Sequence, residues 1–410
     1  MRKLTRTGGW AFAGLIAFIG VVYANPGNWV AAFGDAGFAK IAAALSLVAL
    51  GGSWLLYRRT LHLGGAVGAF LLGLFLLVGA SATWSFWPRM SMDTFLDGLK
   101  FFAIFFLAAN VIDSESRLHT TVTALAWASL VPALGCISSW SRGEHLVDGD
   151  RAAWIGIFAN PNDLAYYLVV GVAMALTARE TSRRGWVRNL NLLLLVPLGV
   201  ALLLTQSRGG MLAAGAVLLL WTMRSLRRAP ALLGVGIALM CVLQLAPGDP
   251  WSKRNEEASY HGEDLSARGR LDAWRTGLNM AKERPLSGVG AGAFVVAYPS
   301  FAPGDAGPAR TEHNTFIQLL AELGIPGLFL FLGAFGAGVV GVSRAAGRPR
   351  LAPYARGVQC GLCGFAVCSV SGGIAFSWPI YLLLGISVAA RRLAAPSRAA
   401  APLPMLARAA

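Results

Sequence analysis

Charge is what this 410-residue sequence has least of. Asp, Glu, Lys and Arg make up 13% of it, against about 25% in an average soluble domain. Acidic residues are the scarcer sign, 20 against 35 basic ones, for a net charge of +15. Cysteine is scarce too, five residues in all, which excludes a disulfide-built secreted module. With 56% of its residues in the set AVILMFWYC, the chain is too apolar to be disordered. It is not a collagen, and it does not read as an ordinary cytosolic enzyme. A mean hydropathy of +0.58 makes the membrane span the natural unit, and a span needs about 20 apolar residues.

Apolar runs predict about twelve spans: 10–24, 37–57, 62–83, 95–111, 118–139, 154–178, 188–205, 208–223, 230–246, 314–342, 354–370 and 373–390. Each must be a helix, or a helix broken only where protein covers it, because lipid cannot satisfy backbone N–H and C=O groups. The expected fold class is therefore an all-α polytopic membrane protein. Its expected parts are spans one to nine (1–246), a large outer loop (247–313), spans ten to twelve (314–392) and a disordered cytoplasmic tail (393–410).

The basic residues sit in short clusters between apolar runs, as orientation signals do, and not on one contiguous face as in a nucleic-acid binder. With the N-terminus inside, twenty-one of them fall in inner segments and six in short outer segments or outer helix ends. Both termini are thus expected in the cytoplasm, with 247–313 facing outward. Met1–Ala24 also has the look of a signal peptide ending at Val22-Tyr23-Ala24; an uncleaved first span is the reading preferred here. Cys136, Cys241, Cys360, Cys363 and Cys368 all lie in apolar spans. Cys360-x-x-Cys363 has metal or redox spacing but no nearby histidine, so buried small side chains are expected and no disulfide or metal.

The chemistry is expected outside. Loop 140–153 leads into Asn160-Pro161-Asn162-Asp163, and loop 247–313 is too long for a mere connector. Within the latter, Ser266–Lys282 reads as an amphipathic helix with Leu271, Trp274 and Leu278 on one stripe. It is expected to lie along the outer membrane surface, with Arg270 and Trp274 four residues apart on a shared face.

Three outward helix starts carry polar residues: Asn160–Asp163, Ser207-Arg208-Gly209-Gly210 and His313-Asn314. Such starts present free N–H groups and a positive dipole end, which favour anions, phosphate above all. Arg208 adds a fork of donors, and Gly209 and Gly210 let a ligand approach the backbone. A phosphate site at the outer face follows. Each feature has a plainer alternative: Arg208 snorkelling, Asn160–Asp163 as a helix cap, His313 as a hydrogen-bonded structural residue. Glu322 lies about 13 Å below His313 at helical rise, on roughly the opposite face. It reads equally as a functional group and as a structural partner to a neighbouring helix.

Two motifs are decoys. Asp148-Gly149-Asp150 resembles a metal-holding pair of nucleotide-sugar transferases, but a solvated acidic loop suits its place better. Gly288-Val289-Gly290-Ala291-Gly292 has no preceding strand and reads as a tight turn packing the outer loop against the membrane face.

In chain order, Gly156–Ala165, Thr205-Gln206-Ser207-Arg208-Gly209-Gly210, Arg270-x-x-x-Trp274, Pro285, Gly288-Val289-Gly290, Phe294 and His313-Asn314 through Leu319–Gly327 resemble the bacterial O-antigen ligase and O-antigen polymerase superfamily, most of all the ligases. The resemblance covers about 155–330. It implies a GT-C-like inner-membrane glycosyltransferase with a periplasmic active site, metal-independent and inverting, needing no cofactor. The implied donor is a glycan on undecaprenyl diphosphate. The implied acceptor is a sugar hydroxyl of lipid A–core for a ligase, or another lipid-linked repeat for a polymerase. The family's arginines map to Arg208 and Arg270 and its histidine to His313, with Arg268 a further candidate. Ser207, Gly209, Trp274, Asn160, Asn162 and Asn314 are the candidates for binding diphosphate or glycan. Arginines and helix starts can stabilise a departing diphosphate without a metal. His313 is suited to activate the acceptor, and Glu312 is a rival base. A small-solute transporter is the competing class, disfavoured because no internal repeat is seen and the polar residues cluster at one face.

Overall fold

The computed structural model describes residues 4–28, 37–58, 60–147, 150–223, 265–304 and 307–395. The expected ninth span 230–246 with Cys241, the first part of the outer loop (247–264) and most of the expected tail lie outside the described residues. The described chain is almost wholly helical. Fifteen α-helices are seen among these residues: α1 Leu4–Ala24, α2 Phe38–Tyr57, α3 Ala66–Ser81, α4 Pro88–Val111, α5 Glu115–Ala128, α6 Leu130–Arg142, α7 Pro161–Thr181, α8 Gly185–Leu193, α9 Leu195–Leu204, α10 Arg208–Met223, α11 Leu265–Glu283, α12 Phe294–Phe301, α13 Thr315–Ala346, α14 Ala352–Ser369 and α15 Trp378–Ala394. A two-stranded antiparallel hairpin, β1 Leu146–Val147 and β2 Arg151–Ala152, is the described sheet. Asp150 sits at its turn, while Asp148 and Gly149 lie outside the described residues.

Among the described residues, six segments are long and apolar enough to cross a membrane: Gly9–Asn28, Phe38–Leu56, Pro88–Val111, Glu115–Arg142, Gly185–Leu204 and Thr315–Ala346. Ala66–Ser81 and Arg208–Met223 are apolar but shorter. This is a polytopic membrane protein; among the described residues, which leave out the expected span 230–246, the count of twelve is not reached on length and composition. The central helices explain part of the gap. Every residue of α7 from Leu164 to Ala178 is buried, as is every residue of α15 from Trp378 to Ala390. A helix buried all round belongs to the middle of a bundle and tolerates polar residues at its ends. In α7 these are Asn162, Asp163, Arg179 and Glu180. Around this pair, α14 packs on α7 and α10, α5 on α7, α4 on α15, and α3 and α15 on α13, while α1 and α2 pair with each other.

Two expected spans are interrupted but not divided: runs 118–139 and 188–205 fall in the single segments Glu115–Arg142 and Gly185–Leu204, broken for one residue at Ser129 and Leu194, whose backbones stay in the right-handed helical region. Pro132 and Pro197 lie three residues beyond each break; a proline withholds an N–H from the helix and crowds the preceding turn. Run 154–178 is α-helical only from Pro161, after a 3₁₀ turn at Gly156–Phe158, and run 373–390 only from Trp378. The residues before them are loops that build the site. Run 314–342 is two helices in one: Gly324 has φ 69° and ψ −169°, non-helical, so the element breaks above Pro326. The piece from Ile325 to Ala346 is about 33 Å long at helical rise, enough for the hydrocarbon core by itself.

The segment before α13 has its own small core. Ala273 and Met280 of α11, Phe294, Ala297, Tyr298 and Phe301 of α12, and Val289, Ala293 and Ala321 pack together. The expected helix in the outer loop is present, at Leu265–Glu283. Its expected stripe divides: Leu271 and Leu278 are exposed, whereas Trp274 turns inward to donate to the Glu312 carbonyl at 2.9 Å. The face that docks is the small one. A β-carbon on Gly277 would lie 2.4 Å from Ile317 of α13, so the glycine permits the close helix contact.

Candidate functional site

Three helices begin around one loop. α7 is capped by Asn160, whose Oδ1 accepts from the N–H groups of Asn162 and Asp163 at 2.8 and 3.4 Å. α10 follows the turn Thr205-Gln206-Ser207, in which Gln206 takes φ 49° and Ser207 Oγ accepts from Gly210 N–H at 3.3 Å. α13 is capped by Asn314, whose Oδ1 accepts from Phe316 and Ile317 N–H at 2.9 and 3.1 Å. Each cap satisfies N–H groups that the helix geometry leaves orphaned.

The loop that joins the starts is 370–374, between α14 and α15. Tyr166 of α7 donates to the Ser371 carbonyl at 3.0 Å. Asn314 Nδ2 donates to the Val370 carbonyl at 3.1 Å, and Thr315 Oγ1 to the Gly372 carbonyl at 2.7 Å. A β-carbon on Gly209 would lie 1.9 Å from Ser371 Oγ. So Gly209, expected to open the backbone to a ligand, is instead occupied on its β-carbon side by this loop. Gly210 packs in the same way on Ala165 of α7. Ser207 and Asn314, expected as ligand contacts, are buried and spend their side-chain oxygens on capping. Loop 370–374 was not singled out from the sequence; its signal was the run Ser371-Gly372-Gly373 at an outer helix end.

Arg151, by sequence only an outer charge, is a brace. Its guanidinium is buried at 7% exposure. It donates to the Thr205 carbonyl at 3.1 Å and to Asn162 Oδ1 at 2.8 Å. It thereby ties the start of α7 to the turn that presents Arg208. Asn162 is occupied by this bond, while Asn160 and Arg208 are exposed.

His313 stands between Glu312 and the Asn314 cap with φ 45°, a left-handed backbone that is uncommon outside glycine. Strain of this kind collects at functional positions. Its Nε2 is 3.1 Å from Thr311 Oγ1. Burial, then the positive charges of Arg270 and Arg310, hold its imidazole below the ordinary histidine range. Arg270 also acts electrostatically on the Tyr166 hydroxyl, which brings α11 to the same place as α7 and loop 370–374. Arg310, missed in the sequence reading, lies on α11: a β-carbon on Gly269 would meet its Nη1 at 1.7 Å. The Arg268 side chain lies outside the described residues. Glu312 is buried, with Oε1 2.3 Å from where a β-carbon on Gly373 would stand, and burial pushes its carboxyl up to about 7.

The glycine-rich turn at 288–292 is a docking clasp. Gly288, Gly290 and Gly292 all have positive φ. Val289 and Gly290 N–H donate to the Ala321 and Glu322 carbonyls, both at 2.9 Å. Phe86 N–H donates to the Val289 carbonyl at 2.9 Å, and Trp84 Nε1 to Ser287 O at 2.9 Å. Glu322, expected either as a functional group or as a structural partner, is buried where its backbone meets Gly288 of this turn, and its Oε2 has no hydrogen-bond partner among the described residues. Beyond loop 370–377 an aromatic cavity of about 360 Å³ opens, lined by Tyr166, Tyr167, Phe376 and Trp378 among others.

Residues 193–332 match the family model described as O-antigen ligase. They run from the end of α8 through Arg208, Arg270 and His313 to the middle of α13. A solved chain from "a peptidoglycan synthase complex" that coordinates polymerization and crosslinking is 19% identical with a TM-score of 0.44, covering 80% of this chain and 96% of that one. No curated protein matches the sequence.

Proposed function

We propose, from the O-antigen ligase segment that residues 193–332 make up, that this membrane protein is a glycosyltransferase that moves a glycan from undecaprenyl diphosphate to a sugar hydroxyl of lipid A–core. The observation that carries this reading is the convergence of three capped helix starts on loop 370–374, with His313 beside it under the positive charge of Arg270 and Arg310. Such a place favours an anion next to a base.

In the proposed reaction the acceptor hydroxyl attacks the anomeric carbon of the donor sugar. The bond from that carbon to the diphosphate oxygen breaks, and undecaprenyl diphosphate leaves with the electron pair. Attack opposite the leaving group inverts the anomeric centre. Arg208 and Arg270 bind the diphosphate and stabilise its developing charge, which preorganised cations do without reorganising during the step. His313, kept neutral by its surroundings, takes the hydroxyl proton. Arg151 and Trp274 are positioning residues: one holds the Arg208 turn, the other holds the backbone at Glu312. The assigned setting is the inner membrane, with about twelve spans, both termini cytoplasmic and the site periplasmic. The basic-residue asymmetry supports it.

The test is transfer by full-length protein in lipid, given undecaprenyl diphosphate-linked glycan with and without lipid A–core. A shifted lipid A–core band in wild type, lost in His313→Ala at normal expression, is the expected result. Longer lipid-linked glycan without acceptor would replace the ligase reading by a polymerase. Full turnover in His313→Ala would remove the histidine from its role.

A further inference from the structure

The helices that frame the site also frame a second polar cavity at their other ends. α7 has Asn162 near its start and Thr181 as its last residue; its 21 residues span roughly 30 Å. α14 runs the same distance scale in reverse, from Tyr354 in its first turn to Ser369 before loop 370–374. At the Thr181 and Tyr354 end lies a cavity of about 720 Å³, within the range of about 300–1,000 Å³ usual for ligand pockets.

Its chemistry is that of an anion site. Arg183, Arg184 and Arg350 line it, against the single carboxylate of Glu115. Arg117 pairs with Asp113, and Arg356 with Glu180, so two nearby carboxylates are already engaged. Among the described residues, none of the three cavity arginines is in an ion pair. The floor is a hydrogen-bonded set: His119 Nδ1 is 3.2 Å from Thr181 Oγ1 and 3.3 Å from the Tyr354 hydroxyl, and Tyr354 is only 4% exposed. Ser116 and Ser182 add hydroxyls to the lining. An orientation signal needs basic residues in a loop; it does not need them on a concave wall above a polar floor. Three guanidiniums with hydroxyl donors beside them match a phosphate group.

Beside the cavity runs α8, with Trp186, Leu190 and Leu193 exposed at 61%, 39% and 59%. They fall at i, i+4 and i+7, one face of a helix, with Arg184 and Arg188 near by. α8 opens the crossing segment Gly185–Leu204, and a tryptophan at the start of such a segment marks the membrane–water interface. We propose that this cavity binds a phosphate group, presented by an anionic phospholipid or free in solution, at the end of the bundle opposite His313. The cavity stands whatever reaction occurs at the other end.

The test is native mass spectrometry of the full-length protein, giving the apparent Kd of the first binding event. The probes are phosphatidylglycerol, phosphatidylcholine and inorganic phosphate. Two variants accompany wild type: the triple Arg183→Gln/Arg184→Gln/Arg350→Gln, and the double Arg208→Gln/Arg270→Gln at the other end. The expected result is preference for phosphatidylglycerol over phosphatidylcholine, weakened at least tenfold in the triple variant and kept in the double. Competition by inorganic phosphate would identify the phosphate group alone as sufficient; no competition would assign the lipid. Equal binding by wild type and triple variant, loss in the double variant alone, or no lipid preference together with no binding of inorganic phosphate would each overturn the proposal. The triple changes only exposed side chains, and an unchanged melting temperature checks its fold.

Discussion

At the scale of single residues, the pair Glu312-His313 is the most informative. His313 is held below the ordinary histidine range by burial and by Arg270 and Arg310. A base with a lowered value stays neutral to lower pH, so the acid limb of kcat/KM against pH should lie below the usual value of about 6.5. Arg310→Gln removes one positive charge, which eases protonation; its acid limb should move up toward that value. An unmoved limb would show that Arg310 does not act on His313. Glu312 titrates the other way, with burial raising it to about 7. A raised acid contributes stability that is fully present below its unfolded value near 4.5 and lost as pH rises through about 7. Glu312→Gln should therefore be more stable than wild type at pH 8.5, by roughly 3 kcal/mol or less, and melt higher there, with no such gain at pH 5. The same variant should keep most of its transfer activity if His313, and not Glu312, is the base. Arg208→Lys keeps the charge but loses the fork; a clear fall in kcat/KM is expected, and wild-type activity would favour mere snorkelling.

At the scale of elements, the break in α13 determines where the outer segment sits. Gly324 adopts a backbone that only glycine takes readily. A β-carbon there would stand 2.5 Å from the Pro285 carbonyl oxygen, whose partner is Ile325 N–H at 2.7 Å. Gly324→Ala should cost about 1–3 kcal/mol and loosen the clasp at 285–294. Faster limited proteolysis there, together with a loss of transfer, is the expected outcome. None of this showed in the periodicity, because an apolar run on both sides of Gly324 reads as one span. The one-residue interruptions at Ser129 and Leu194 are milder, since both backbones stay helical and each segment remains long enough to cross; Pro132 and Pro197, inside those runs, account for them. The glycine clasp at 288–292 was legible as a turn against the membrane face, since three glycines so close suit little else. What it grips, the carbonyls of Ala321 and Glu322, was not.

At the scale of the whole molecule, the two polar ends of the bundle carry different chemistry. One gathers helix starts, His313 and Arg270; the other gathers the end of α7 and the starts of α5, α8 and α14, with Arg183, Arg184 and Arg350. The orientation argument predicts that the first faces outward. With the native cysteines replaced by alanine, Gly304→Cys should react with an impermeant maleimide in cells with a permeabilised outer membrane. Arg348→Cys should react only after lysis. Labelling in the reverse order would invert the topology and move the proposed transfer site to the cytoplasm. Both positions are exposed, so burial would not mask the result.

Composition and pattern alone determined the solvent, the helical class, the basic asymmetry and the residues able to bind an anion. These follow from local rules: lipid demands satisfied backbone, and arginine, histidine and helix starts have fixed chemistry. Only the tertiary structure decided which of these residues spend their polar atoms on the fold. Ser207, Asn314 and Asn162 are occupied by caps and by Arg151, and Gly209 by Ser371. Loop 370–374, Arg151 and Arg310 enter the site from segments that carry no motif. A hydrogen bond depends on a partner brought close by packing, often more than a hundred residues away, and no spacing along the chain records that.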